Sequence, residues 1–221
     1  VAGWISEWKN TAWAEAGQHY DDGQIQGYED EVLVRTRRIY DETMRRNNAL
    51  DFDDLLIRTL EIFEQHPGVR DQYAQRFRFV LVDEYQDTNR IQYRLTRHIA
   101  GHHGNLAVCG DLDQSIYAWR GADIRNIMDF ERDWPGAKVV KLEQNYRSTK
   151  KILRAAQAVI ANNAERKEKD LFTEGEDGED IMVLECGDEN DEGDSIGGMI
   201  HDFKGMGYSF GDVAILYRVN F

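Results

Sequence analysis

Val80-Leu81-Val82-Asp83-Glu84-Tyr85-Gln86-Asp87 is a short apolar run that ends abruptly in acids. From Phe77 to Val82 the chain is nearly continuous in apolar side chains, which predicts a strand buried on both faces rather than one half in water. The same rhythm recurs on either side of it. Asn89 to Ala100 is predicted helical, Leu106 to Cys109 is a second apolar strand, and Asp123 to Arg132 is a further helix. Lys138 to Leu142, Ile181 to Cys186 and Val213 to Tyr217 are read as strands. Between them, Thr149 to Asn162, opened by a Ser148 cap, and Asp191 to Lys204 are read as helices. Short strands that feed straight into turns and helices are what a buried parallel sheet requires, so the fold class is α/β. Pro135-Gly136 is the natural hinge between two such blocks.

Upstream the texture differs. Residues 1–27 are rich in Trp, Gly and polar side chains without a sustained period, and Tyr28 to Asn48 reads as a long helix with Val32, Ile39, Tyr40 and Met44 near one face. A second helix is predicted from Asp53 to Gln65, capped by Asp51 and ended by Pro67-Gly68. Leu55, Leu56, Leu60, Ile62 and Phe63 would supply its apolar side. The chain therefore divides into an all-helical segment (1–48), a first α/β block (49–134) and a second (135–221).

Composition bounds the reading. At 221 residues and 41% hydrophobic the chain can bury a core, and no stretch approaches the roughly 20 apolar residues that cross a bilayer. No leader is evident at the start, so the expected compartment is the cytoplasm, with no membrane partner. The only two cysteines, Cys109 and Cys186, sit in strand-like runs and read as buried small hydrophobes, not as a disulfide or metal site. The net charge of −14 argues at first against a polyanionic partner. Yet Glu174 to Asp194 holds 11 acids and no Lys or Arg, which leaves 27 basic against 30 acidic residues elsewhere, a balance of −3. That run is read as a solvated loop and helix start whose carboxylates complement the helix dipole.

The acids after Val82 fall at the C-terminal edge of the predicted parallel sheet, where open α/β folds bind ligands. Hydrolysis of a nucleoside triphosphate needs one carboxylate near a magnesium ion and another to orient or deprotonate the attacking water, and adjacent residues can supply both. Asp-Glu alone reads equally well as the start of a capped helix. The whole string is more specific: Asp83-Glu84-Tyr85-Gln86-Asp87-Thr88-Asn89 resembles the Walker B motif of superfamily 1 DNA helicases of the UvrD/PcrA/Rep type. Gly110-Asp111-Leu112-Asp113-Gln114-Ser115-Ile116-Tyr117-Ala118-Trp119-Arg120-Gly121-Ala122 resembles motif III of that family, and Gln144-Asn145-Tyr146-Arg147-Ser148-Thr149 its motif IV. Leu50-Asp51-Phe52-Asp53-Asp54-Leu55-Leu56 matches a segment just upstream of the first of these.

The resemblance implies two partial RecA-like lobes of a P-loop NTPase, preceded by an all-helical insertion. It implies ATP and Mg2+ as cofactors, and single-stranded and duplex DNA as partners together with repair or replication proteins. Asp83 would hold the metal and Glu84 position the attacking water. Gln86 and Gln114 would sense the terminal phosphate, Tyr146 would stack on adenine, and Arg147 would act as an arginine finger, a role worth roughly 10³ to 10⁵ in rate. Without the family, Tyr146 and Arg147 read as a core ring and a surface ion pair. Tyr117, Trp119 and Arg120 would bind single-stranded DNA, since aromatic faces accept any base at about 1 to 3 kcal/mol each. Taken alone, Trp119 would read as a core plug.

The implied activity is that of a 3′–5′ DNA helicase, coupling ATP hydrolysis to single-strand translocation and duplex unwinding in repair or replication. Two alternatives stand beside it. One is a nonenzymatic module that binds single strands or a partner protein; the other is the motor subunit of a helicase-nuclease. No Gly-x-x-x-x-Gly-Lys-Ser/Thr and no Gly-Lys dipeptide occurs, so the phosphate cradle is absent from this sequence. The expectation is an internal fragment, inactive by itself, that starts within the insertion and stops within the second lobe.

Overall fold

The computed structural model describes residues 2–14, 28–163 and 169–217. Contacts group the chain into two compact units, Val1–Glu143 with Gln157–Leu171, and Gln144–Ala156 with Phe172–Phe221.

In the first unit, helix α1 (Ala2–Ala14) is followed by α2 (Tyr28–Arg46), α3 (Phe52–Gln65) and α4 (Pro67–Arg76). Strand β1 (Val80–Val82), α5 (Arg90–Ala100), β2 (Leu106–Val108) and two short helices, α6 (Arg125–Met128) and α7 (Phe130–Asp133), follow in this unit. The strands pair in parallel, Val80 beside Leu106 and Val82 beside Val108. A small parallel sheet among many helices agrees with the expected α/β class. Packing centres on Ile57 and Leu60 of α3 and Ile91 of α5, with Leu56 and Leu95 partly buried against them.

Local signals set several of these boundaries. Asp51 caps α3 in a reciprocal box: Asp54 N–H donates to Asp51 Oδ1 (2.8 Å) and Asp51 N–H to Asp54 Oδ2 (3.3 Å). Asn89 and Gln92 repeat the device at α5. The inner face of α3 carries Leu60 and Phe63, as expected, with Leu56 partly buried, and adds Ile57, whereas Leu55 and Ile62, also expected there, are exposed. Pro67 does not simply end α3 but opens α4 from its first turn, where its fixed φ and missing N–H suit a helix start.

α1 falls in the segment read as all-helical, although no helix is assigned to these residues individually. Its inner side presents Ile5 and Lys9, both buried one turn apart, toward α3 and α5. Of the predicted Asp123–Arg132 helix only two four-residue pieces form, separated at Asp129.

The second unit is built on α8 (Lys150–Ile160), which starts within it, and α9 (Glu189–Gly205). Asp188 caps α9 by accepting from Asn190 and Asp191 N–H (2.9 Å each), and Glu189, Asp191 and Glu192 occupy its first turn. The acidic run thus serves a helix start, as its charge suggested. Among the described residues, the strands expected at Lys138–Leu142, Ile181–Cys186 and Val213–Tyr217 form no ladder. These segments lack a hydrogen-bonded neighbour, without which an apolar run stays irregular. Cys109 is exposed and Cys186 half-buried, both unpaired, against the expectation of burial. No helix among the described residues is long and apolar enough to cross a membrane.

Candidate functional site

The turn after β1 is held by backbone. Pairing continues one step beyond both strands: Cys109 N–H donates to Val82 O (2.8 Å), and Tyr85 N–H donates to Cys109 O (2.9 Å). Between those bonds the chain reverses at Glu84, with φ 50° and ψ 44°. A left-handed conformation at a residue with a Cβ costs about 1 to 2 kcal/mol and persists only where the surroundings impose it. Its effect is to leave Asp83 and Glu84 exposed while Tyr85 and Gln86 turn fully inward. Asp83 Oδ1 accepts from Glu84 N–H (2.9 Å), tying the two acids together.

Gln86 is the hub of the site. Its Nε2 donates to Glu84 Oε2 (2.8 Å) and Asp87 Oδ2 (3.3 Å), and its Oε1 accepts from Asp111 N–H (3.0 Å). Both its Nε2 and its Oε1 are thus engaged within the two turns, and the bond to Glu84 fixes that carboxylate. Gly110 permits the approach, because a Cβ there would lie 2.7 Å from Gln86 Oε1 and 3.2 Å from Tyr85 N. Burial, and then the charge of Glu84, raise the Asp87 carboxyl above its ordinary range, against the opposing hydrogen bond from Gln86.

From Asp111 the network continues. Its Oδ2 accepts from Gln114 Nε2 (2.8 Å), and its Oδ1 accepts from Asp113 N–H (3.0 Å) and from the Lys169 ammonium. Lys169 also lies 3.0 Å from Asp113 Oδ2. Burial alone would raise the Asp111 carboxyl, yet the bonds from Lys169, Gln114 and Asp113 hold it below the usual range. Asn126 anchors the far side of the turn: buried, it donates through Nδ2 to Thr88 O (3.0 Å) and accepts from Arg90 (3.1 Å). Neither Asn126, within the helix expected over 123–132, nor Lys169 is singled out in the sequence as a site residue, and only their spatial neighbours identify them.

Tyr117 and Trp119 follow on the same loop, with ring centroids 6.5 Å apart, and Trp119 is 65% exposed. Exposed to that degree, the Trp119 ring is not plugged into a core. The side chain of Arg120 lies outside the described residues.

In the second unit, Gln144 bridges Phe172 in parallel, and Asn145 N–H donates to Phe172 O (2.7 Å). Asn145 Oδ1 then accepts from Arg147 and Ser148 N–H (3.0 and 2.8 Å), a side-chain turn that presents Tyr146 and Arg147 outward. Tyr146 is 85% exposed, and its hydroxyl donates to Gln144 Oε1 (2.7 Å). The first N–H groups of α8 find partners in the facing loop, Lys150 donating to Glu176 O (3.0 Å) and Lys151 to Asp177 O (3.1 Å). An open hollow of about 360 Å³ lies here, lined by Tyr146, Arg147, Thr149, Thr173, Glu174 and Glu176. The first unit thus gathers Asp83, Glu84, Gln86 and Gln114, and the second places Tyr146 beside Arg147.

Among the described residues no group of three or more His, Cys, Asp or Glu side chains is arranged to hold a metal ion. That donor set still suits a cation delivered by a phosphate ligand. Magnesium at such sites takes one or two carboxylates and fills its remaining positions with phosphate oxygens and water, a demand that exposed Asp83 can meet.

Comparison with known proteins agrees with these motifs. Residues 1–135 match the family described as the UvrD/REP helicase N-terminal domain, and residues 140–221 the UvrD-like helicase C-terminal domain. The ATP-dependent DNA helicase PcrA of Bacillus subtilis (strain 168) is 49% identical over 195 residues, 88% of this chain and 26% of the relative. The PcrA of Staphylococcus aureus (strain Mu50) is 48% identical over 193 residues, 87% of this chain and 26% of its own length. The chain therefore spans about a quarter of the length of the curated relatives it matches.

Proposed function

The chain belongs to the UvrD/Rep helicase family, and on that premise we propose that the protein is an ATP-dependent DNA helicase. It hydrolyses ATP to move 3′ to 5′ along single-stranded DNA and unwind duplex, in the cytoplasm, alongside repair or replication proteins. RecA-like lobes would carry the chemistry, and the helical segment at the start of the chain would be an insertion in the first.

The observation that supports this reading most is the bonded series Glu84–Gln86–Asp111–Gln114, which links the acid after β1 to the turn after β2. Glu84, fixed in its unusual backbone conformation and held by Gln86, orients or deprotonates the attacking water. Gln114 contacts the terminal phosphate. Asp83 would hold a magnesium ion, which when bound would supply charge neutralisation at the phosphates. Tyr146 offers a face to the adenine ring and Arg147 a fork of donors to the γ-phosphate. Tyr117 and Trp119, with Arg120, stack on and pair with the single strand.

The test is ATP turnover by the full-length protein with and without single-stranded DNA. Glu84→Gln is expected to lower kcat about 10² to 10⁴-fold with KM for ATP little changed, the signature of a lost proton-transfer group. Trp119→Ala should weaken single-strand affinity while leaving DNA-free turnover intact. Turnover indifferent to Glu84→Gln would sink the catalytic assignment, and no turnover at all would favour a nonenzymatic strand-binding module.

A further inference from the structure

Lys169 lies 58 positions downstream of Asp111 yet closes the polar network around the candidate site. Its side chain is 20% exposed, and its ammonium meets Asp111 Oδ1 and Asp113 Oδ2 together. We infer that Lys169 is a positioning residue for Gln114: it fixes the Asp111 carboxylate, and that carboxylate holds the glutamine amide. The inference rests on the assignment of Gln114 as a phosphate-contacting group.

Two physical arguments carry it. The first is geometric. Asp111 is tethered through its backbone to Gln86, so its carboxylate is placed by the two side-chain rotations alone, and each oxygen is engaged, Oδ1 by Lys169 and Asp113 N–H, Oδ2 by Gln114 Nε2. Without the ammonium, the carboxylates of Asp111 and Asp113 repel one another and the rotation that serves Gln114 is no longer preferred. The second is electrostatic. Asp83, Glu84, Asp87, Asp111 and Asp113 crowd the two turns with negative charge, which opposes a triphosphate. A lysine supplies a compact positive charge with three donors, enough to neutralise the pair nearest the glutamine while leaving the amide free to turn its second N–H outward.

The experiment is a double-mutant cycle in the full-length protein, read as kcat and KM of single-strand-stimulated ATP hydrolysis. Lys169→Met is expected to lower kcat about 10 to 100-fold, the range for removing a residue that orients a contacting group, with KM for ATP within a few fold. In a Gln114→Ala background the same substitution should add no more than about a twofold loss, since the group it positions is already gone. Lys169→Arg should recover most of the rate. Asp111→Asn, which keeps shape and removes the charge that Lys169 meets, should show the same non-additivity with Gln114→Ala and serves if Lys169→Met does not fold. Equal factors in both backgrounds, or unchanged kcat in Lys169→Met, overturn the inference. Turnover unaffected by Glu84→Gln would instead remove the catalytic reading, and this inference with it. Glu84-dependent turnover with additive effects removes this inference alone.

Discussion

At Tyr85 and Gly110 single atoms decide what the turn can tolerate. Gly110 sits where a Cβ would press on Gln86 Oε1 at 2.7 Å, Ile127 Cδ1 at 2.9 Å and the Tyr85 backbone nitrogen at 3.2 Å. The two side-chain ends could swing aside in open surroundings, but Gln86 is fully buried and bonded at both ends of its amide. Gly110→Ala should therefore cost about 1 to 3 kcal/mol in urea unfolding, the usual range for overpacking, and lower ATP turnover by disturbing Gln86. Tyr85 poses the opposite case. Its ring meets Phe130 edge-on at 5.6 Å, whereas its buried hydroxyl has no hydrogen-bond partner among the described residues. Burial pushes that phenol up to about 12, so it stays neutral at any ordinary pH. Because the hydroxyl contributes desolvation without a bond, Tyr85→Phe should leave stability unchanged or raise it by about 1 kcal/mol. A clear loss in urea unfolding would mean the hydroxyl has a partner that this geometry does not supply.

Among the elements, α1 is locked onto α3 by charge. Buried Lys9 donates to Asp51 Oδ2 (2.6 Å) and Asp54 Oδ1 (2.7 Å), and the Tyr40 hydroxyl also donates to Asp51 Oδ2 (2.7 Å). Removing the ammonium leaves carboxylates facing each other out of water, so Lys9→Met should cost about 3 to 5 kcal/mol in urea unfolding. The pH dependence follows from two shifts. Burial favours a lower Lys9 pKa, but the bonds to Asp51 and Asp54 carry it above its ordinary value, so its contribution is complete below the unfolded lysine pKa and fades as pH rises through the higher folded one. Burial likewise favours a higher Asp51 pKa, but Lys9 and Tyr40 pull it down, so its contribution is complete above the unfolded carboxylate pKa and fades as pH falls through the lower folded one. The Lys9→Met deficit should thus be widest between roughly pH 4 and pH 10 and narrow on both flanks. A deficit flat from pH 3 to pH 11 would contradict it. This lock also shows what could be read from sequence. The caps at Asp51 and Asn89 were legible because partner and target lie within three residues. α1 escaped individual assignment because its inner side mixes Ile5 with a lysine, a pattern that becomes meaningful only opposite Asp51 and Asp54. Lys169 and Asn126 escaped for the same reason, since their partners lie far off in the chain. The acids and the glutamine of the site were legible through family motifs, but the burial of Gln86 was not, because it depends on Asp111 approaching from the next turn.

For the molecule as a whole, apolar surface outruns what its own elements cover. Parallel strands normally have both faces buried, yet Leu81 of β1 is 79% exposed, and in the second unit Val183 and Leu216 are 89% and 94% exposed. Their sequence reads as strand because alternate burial is not needed to recognise a continuous apolar run, but a ladder requires neighbours that the described residues do not provide. Such patches associate in water unless charge keeps copies apart. A net charge of −14 supplies that repulsion at low ionic strength and loses it as salt shortens the screening length. The 221-residue chain made by itself should therefore bind an apolar dye and self-associate at micromolar concentration, more strongly as salt is raised. Sedimentation velocity across a salt series reads both effects. Polar association through Lys and Arg would weaken with salt, so the direction of the trend separates the two causes, and a monodisperse monomer at high salt would show that these side chains find cover within the chain after all.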